Sequence, residues 1–157
     1  MMKKGILLLC VAMLLVGCGL FKKKKPPPPP PEPTRVVLEI EAGGDINPDI
    51  AGRPSPLYIR IYQLKSYSAF GKADFFSIYE NDDGVLGREL VDKQEILLQP
   101  NEKRTVFFET GDDTQAIGLL GIFRDYEHAQ WKRATGIQPH KTSVIHISVS
   151  SAGITVR

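Results

Sequence analysis

From Thr34 onward, apolar residues fall mostly at every second position. Val36, Leu38 and Ile40 alternate with Val37, Glu39 and Glu41, the period of a half-buried strand. Residues 42–56 have no period and carry Gly43, Gly44, Asn47, Pro48, Gly52, Pro54 and Pro56, which reads as a loop. Leu57, Ile59 and Ile61 then resume the alternation, with Tyr58, Arg60 and Tyr62 on the other face. Between Ser66 and Asn81 the rhythm changes. Phe70, Ala73, Phe76 and Tyr79 recur every third residue, with Phe75 and Ile78 beside them, and predict a short amphipathic helix ended by Asn81-Asp82-Asp83-Gly84. Strand-like stretches follow over 91–99, 105–109, 117–123, 131–135 and 144–150, with 154–156 as an edge strand. The stretch 117–123 is apolar on both faces and predicts a central strand. About eight short strands at roughly ten-residue spacing favour an all-β sandwich or barrel over a parallel α/β sheet. The helix is an insertion after the second strand.

Upstream of Thr34 the pattern is of another kind. Lys3 and Lys4 precede an apolar run from Ile6 to Val16, 11 residues long. That is too short for a bilayer span, which needs roughly 18 to 20 residues, and fits a secretory leader. It closes on Leu15-Val16-Gly17-Cys18, which resembles the lipobox of bacterial lipoproteins, cleaved before a lipidated cysteine. Residues 1–17 are therefore expected to be a signal peptide and Cys18 the lipid attachment site. Lys22 to Lys25 and Pro26 to Pro31 follow, with Pro33 beyond them. Proline fixes φ and lacks the backbone donor, so the proline run predicts a polyproline II rod. Residues 18–33 are then the lipidated cysteine, the lysine run and a semi-rigid stalk, with residues 19–33 reaching at most roughly 45 Å. The folded domain is expected over 34–157.

This division changes the reading of charge and of cysteine. The chain carries 20 basic and 18 acidic residues, net +2. Six of the basic residues and one of the acidic precede Thr34, so residues 34–157 hold 14 against 17. A net −3 domain lacks the basic stripe that nucleic acid requires. Cys10 leaves with the leader and Cys18 takes the lipid, so no disulfide is expected and the fold must rely on packing.

Candidate chemistry is sparse. Asp45, Asn47 and Asp49 have the spacing that opens a calcium loop, but Ile50 stands where the loop needs glycine and Pro56 where it needs glutamate. Acidic residues and asparagine at such positions ordinarily bond their own backbone. His140 and His146 read as one strand about 20 Å long, too far apart to share a metal. His128 with Asp125 and Glu127 reads as hairpin chemistry. No nucleophile elbow or phosphate-cradling loop is present. No catalytic residue, metal ion, cofactor or small-molecule substrate is expected.

Several stretches together carry a family resemblance. They are Gly52-Arg53-Pro54-Ser55-Pro56 leading into Ile59-Arg60-Ile61-Tyr62-Gln63-Leu64, then Ala73-Asp74-Phe75-Phe76-Ser77-Ile78-Tyr79, and Phe123-Arg124-Asp125 with Trp131. With the lipobox in place, they resemble the outer-membrane lipoproteins of type VI secretion systems, the TssJ family. The resemblance implies a transthyretin-like β-sandwich of two four-stranded sheets. It implies an outer-membrane, inner-leaflet address facing the periplasm, and Gly19 after the lipidated cysteine agrees with that. It further implies that a TssM-like inner-membrane component docks, through its periplasmic domain, on the loop joining the first two strands. Here that loop offers Gly43, Gly44, Asp45, Ile46, Asn47, Pro48, Asp49, Ile50 and Arg53, with Ile46 and Ile50 as an apolar centre inside a charged rim. Replacing Gly44 to Gly52 by a tight glycine turn is then expected to preserve the fold. The alternatives from other classes are a transthyretin-like periplasmic enzyme and a lipoprotein inhibitor of a cell-wall enzyme.

Overall fold

The computed structural model describes residues 28–157. The leader, Cys18, the lysine run and the first two prolines of the stalk lie outside the described residues. Pro31–Arg157 is one compact unit.

The described residues form eight strands: β1 (Thr34–Ala42), β2 (Leu57–Leu64), β3 (Leu90–Leu98), β4 (Lys103–Thr110), β5 (Ala116–Gly121), β6 (Lys132–Gly136), β7 (Thr142–Ser150) and β8 (Gly153–Val156). They form two four-stranded sheets, ordered β4-β1-β7-β8 and β3-β2-β5-β6. All neighbours are antiparallel except β1 and β7. The expected sandwich, with its helical insertion after the second strand, is what the chain forms.

The inner faces meet in an apolar core. Val36, Leu38 and Ile40 of β1 face Leu57, Ile59 and Ile61 of β2, with Ile117, Leu119, Ile145, Ile147 and Ile154 filling the space between. The alternation read from β1 is therefore the burial pattern of the strand. β5 is buried at every position, as its two-sided apolar run predicts. One of its faces meets the core; the other meets helices.

Those helices are α1 (Ser68–Lys72) and α2 (Phe75–Leu86), which cover the outer face of the second sheet. Asp74 caps α2 by accepting from the Ser77 backbone N–H at 3.0 Å, and this break between the helices resets the helical period. Consequently Phe70, Phe75 and Ile78 are buried, whereas Phe76 and Tyr79 stand partly in solvent. The every-third-residue face read from sequence is corrected to this one. Asn81 kinks α2 rather than ending it. Tyr62 of β2 lies under the helices, fully buried beside Phe70. Gly118 of β5 permits the approach, since a Cβ there would sit 3.2 Å from the Phe70 ring. Lys132 ties the excursion down from β6, donating to the carbonyls of Phe70, Gly71 and Ala73 at 3.1, 2.8 and 2.6 Å. Burial of that ammonium pulls its pKa down.

Candidate functional site

The β1–β2 loop crosses from one sheet to the other at the end where the β3–β4 turn and the β7–β8 turn also lie. It is aperiodic, yet almost every polar group in it is used. Gly43 N–H donates to the Val149 carbonyl at 2.8 Å, and Asn101 N–H donates to the Gly43 carbonyl at 3.2 Å. The Asp45 carboxylate accepts from the Ser151 hydroxyl at 2.6 Å, and that bond holds its pKa below the usual carboxylate range. Asn47, at φ 44°, spans the loop base. Its amide donates to the Pro56 carbonyl at 2.8 Å and its side-chain oxygen accepts from Arg124 N–H at 2.9 Å. The Ser55 N–H donates to the Ile46 carbonyl at 3.1 Å, and its hydroxyl donates to the Asn47 carbonyl.

Asp49 organises the tip. Its carboxylate accepts from the backbone N–H groups of Ala51 and Arg53, each at 2.9 Å, and from the Arg53 guanidinium at 2.8 Å. The Arg53 bonds hold the Asp49 pKa low. Gly52 N–H returns to the Asp49 carbonyl at 2.8 Å, and the turn places Gly52 at φ 76°, a region glycine enters without steric cost. Asp45, Asn47 and Asp49 thus bond their own protein rather than converging on a common point.

The two isoleucines of the loop part company. Ile46 is fully buried and joins the core between the sheets. It is not part of any docking surface, which corrects its assignment to the apolar centre. Its burial, with the Asn47–Arg124 bond, also means that a glycine turn in place of 44–52 would remove a core side chain and a tertiary bond. The fold is therefore not indifferent to that change. Asn47 is buried as well. Ile50, in contrast, is 107% exposed, the most exposed large apolar side chain among the described residues. Gly44, Asp45 and Arg53 share the outside with it, while Gly43, Pro48 and Asp49 are half-buried.

Sequence reasoning missed the neighbour that braces this loop. The segment between β5 and β6 packs beside it through Arg124, 77 positions away in sequence. On that segment His128 pairs with Asp125 at 2.7 Å in full solvent, and the carboxylate raises the imidazole pKa. His140 is not on β7 as expected; it sits in the preceding turn at φ 60°, where its N–H donates to Thr34 Oγ1 at 2.8 Å. His146 is on β7, 2.9 Å from Glu39.

A second polar cluster was also invisible in the sequence. Under the kink of α2, Asp82 accepts from Tyr62 at 3.1 Å, Lys93 at 2.7 Å and Arg60 at 3.4 Å. Burial pushes the Asp82 carboxyl up, but hydrogen bonds from Lys93 and Tyr62 and the nearby cations outweigh it and hold the group low. Burial first, then the Asp82 charge, pushes the Tyr62 phenol up. Every partner of the carboxylate is satisfied, so the cluster clamps the helix to the sheet.

Comparison with known proteins agrees with this architecture. The family model described as "Type VI secretion lipoprotein, VasD, EvfM, TssJ" matches residues 34–152. The crystal structure of the T6SS lipoprotein TssJ1 from Pseudomonas aeruginosa is 34% identical, with a TM-score of 0.77, covering 80% of this chain and 95% of that one. Serratia marcescens Lip, a membrane-bound component of the type VI secretion system, shares the fold at 22% identity and a TM-score of 0.73, covering 78% and 96%. A chain from a structure described as the T6SS protein TssM C-terminal domain from EAEC is 27% identical, with a TM-score of 0.65, covering 78% and 99%. No curated protein matches the chain. That family is one of secretion-system lipoproteins rather than of enzymes. With the family model spanning the whole sandwich and a solved relative at 34% identity, the chain belongs to the type VI secretion lipoprotein family, TssJ.

Proposed function

We propose that the chain is a lipid-anchored, periplasm-facing component of a type VI trans-envelope complex. Cys18 carries the lipid in the inner leaflet of the outer membrane. The β1–β2 loop binds the periplasmic domain of the TssM-like inner-membrane component, tethering the complex to the outer membrane. The observation that carries the docking assignment is Ile50: a fully exposed isoleucine on a loop whose remaining groups are locked. A preformed loop loses little conformational entropy on binding, and an exposed aliphatic anchor beside Arg53 fits an apolar centre with a charged rim. The relatives support the reading, since one similar chain comes from a structure described by its TssM domain.

Pull-down of the full chain with the partner's periplasmic domain tests the assignment. Ile50→Ala is expected to weaken binding about tenfold, and Ile50→Asp to abolish it, with thermal melting unchanged. Binding at the unsubstituted level by folded Ile50→Asp would refute it. The anchor has its own test: Cys18→Ser is expected to leave a folded domain that fractionates away from membranes. Retention with the outer membrane would sink the lipid assignment.

A further inference from the structure

The two sheets treat their outer faces differently. Helices cover that of β3-β2-β5-β6, and among the described residues no helix packs on that of β4-β1-β7-β8. On this bare face the register aligns Val37 of β1 with Phe107 of β4 and Val144 of β7, a continuous apolar row across three strands. Phe107 is 59% exposed and Val144 51%. The row is bounded on both sides by charge. One step along the strands lies the row Arg35, Glu109 and Thr142, and one step the other way the row Glu39, Thr105 and His146. Each flanking row is about 7 Å from the apolar one.

This pattern is self-complementary. Turning a second copy over, about a dyad that runs along the apolar row, brings Val37, Phe107 and Val144 onto their own counterparts. The same operation exchanges the flanking rows, so Arg35 of each copy faces Glu39 of the other. Glu109 then faces Thr105, and Thr142 faces His146. Both Arg35–Glu39 contacts are of opposite sign, and no like-charged side chains oppose one another. Isologous interfaces require this matching of a patch to itself. We propose that the outer face of β4-β1-β7 docks against the same face of a second copy of the chain. The face is narrow, three paired strands at about 4.8 Å each, so the association is weak in dilute solution and is read by trapping.

The experiment uses the full chain in cell envelopes, with Val37→Cys treated with a bifunctional thiol reagent spanning about 10 Å, the usual separation of stacked sheets. A covalent dimer is expected at Val37→Cys, and none at Val91→Cys on β3 of the other sheet or in the parent without an introduced cysteine, which sets the background. In the Val37→Cys background, Arg35→Glu or Glu39→Arg alone places like charges opposite each other and should lower the dimer yield severalfold. Arg35→Glu with Glu39→Arg should restore it. Val144→Lys, an exposed change that spares the core, should abolish it, with limited proteolysis confirming the fold. Absence of dimer in folded Val37→Cys, equal yield at Val91→Cys, an adduct of Val37→Cys with another protein instead, or failure of the charge exchange to restore yield would each overturn the proposal.

Discussion

Ile46→Ala is the change that best separates the scaffold of the loop from its surface. The side chain is fully buried among the residues between the sheets. Truncation removes three carbons; at about 0.8 kcal/mol per buried methylene the transfer loss is about 2.4 kcal/mol. The cavity adds to that, since β1 and β2 are fixed by their ladders and cannot collapse into it, and the total falls at about 2.5–5 kcal/mol. Domains of this kind are stable by about 5–15 kcal/mol in all, so a large share is lost. At roughly 3–5 °C per kcal/mol for this size, the melting midpoint should drop by about 8–25 °C. Denaturant titration followed by circular dichroism measures the loss at constant slope. Ile50→Ala in the same assay should stay within about 0.5 kcal/mol of the parent. If Ile46→Ala also stayed within that margin, the loop would not be seated in the core and the preformed docking tip would lose its basis.

Two further predictions concern the scaffold. Asp82→Ala leaves Tyr62, Lys93 and Arg60 without their shared acceptor and should cost about 1.5–3 kcal/mol, with faster amide exchange across α2. Because the folded state holds the Asp82 carboxyl low, its contribution is present above the ordinary carboxylate pKa and is lost as pH falls through the lowered value; acid titration of the Asp82→Ala variant should show a correspondingly shallower loss below about pH 4. Gly153→Ala should cost about 1–3 kcal/mol by thermal melt, because Gly153 sits at φ 123° and a Cβ there would clash with the Gln130 backbone.

The strands were legible because a two-residue period survives wherever one face is wet. β1 and β2 could be read for that reason, and β5 stood out because neither of its faces is wet. Where packing depends on a partner element, the sequence falls silent. Tyr62 looks like the outward member of an alternating strand, and only the helices laid over it bury it. The helix face was misread because Asp74 starts a new helix and shifts the phase by which Phe75 and Ile78 turn inward. In the loop, a lone Ile46 among glycines and prolines has no period to betray its burial. The Asn47–Arg124 bond joins residues that no local pattern relates. Loop existence and extent were therefore readable, whereas which of its residues face outward was not.

The position of the loop on β1 bears on how a tether works. The segment upstream of Thr34 joins the domain at the start of β1, and the proposed docking loop leaves from Ala42 at its end, so the two attachments are separated by about 26 Å of one extended strand. β1 is not an edge. It is paired with β4 on one side and with β7 on the other. On the proposed function, tension between the lipid anchor and a partner held at the loop would run along this strand. Since the ladder bonds lie across the strand direction, such tension shears both ladders together instead of peeling one pair at a time. An edge strand such as β8, laddered only to β7 apart from the lone bridge of Gly153 to Gln130, would offer one ladder to the same pull. The parallel β1–β7 pairing, which requires a long connection through the other sheet, is what places β1 inside its sheet.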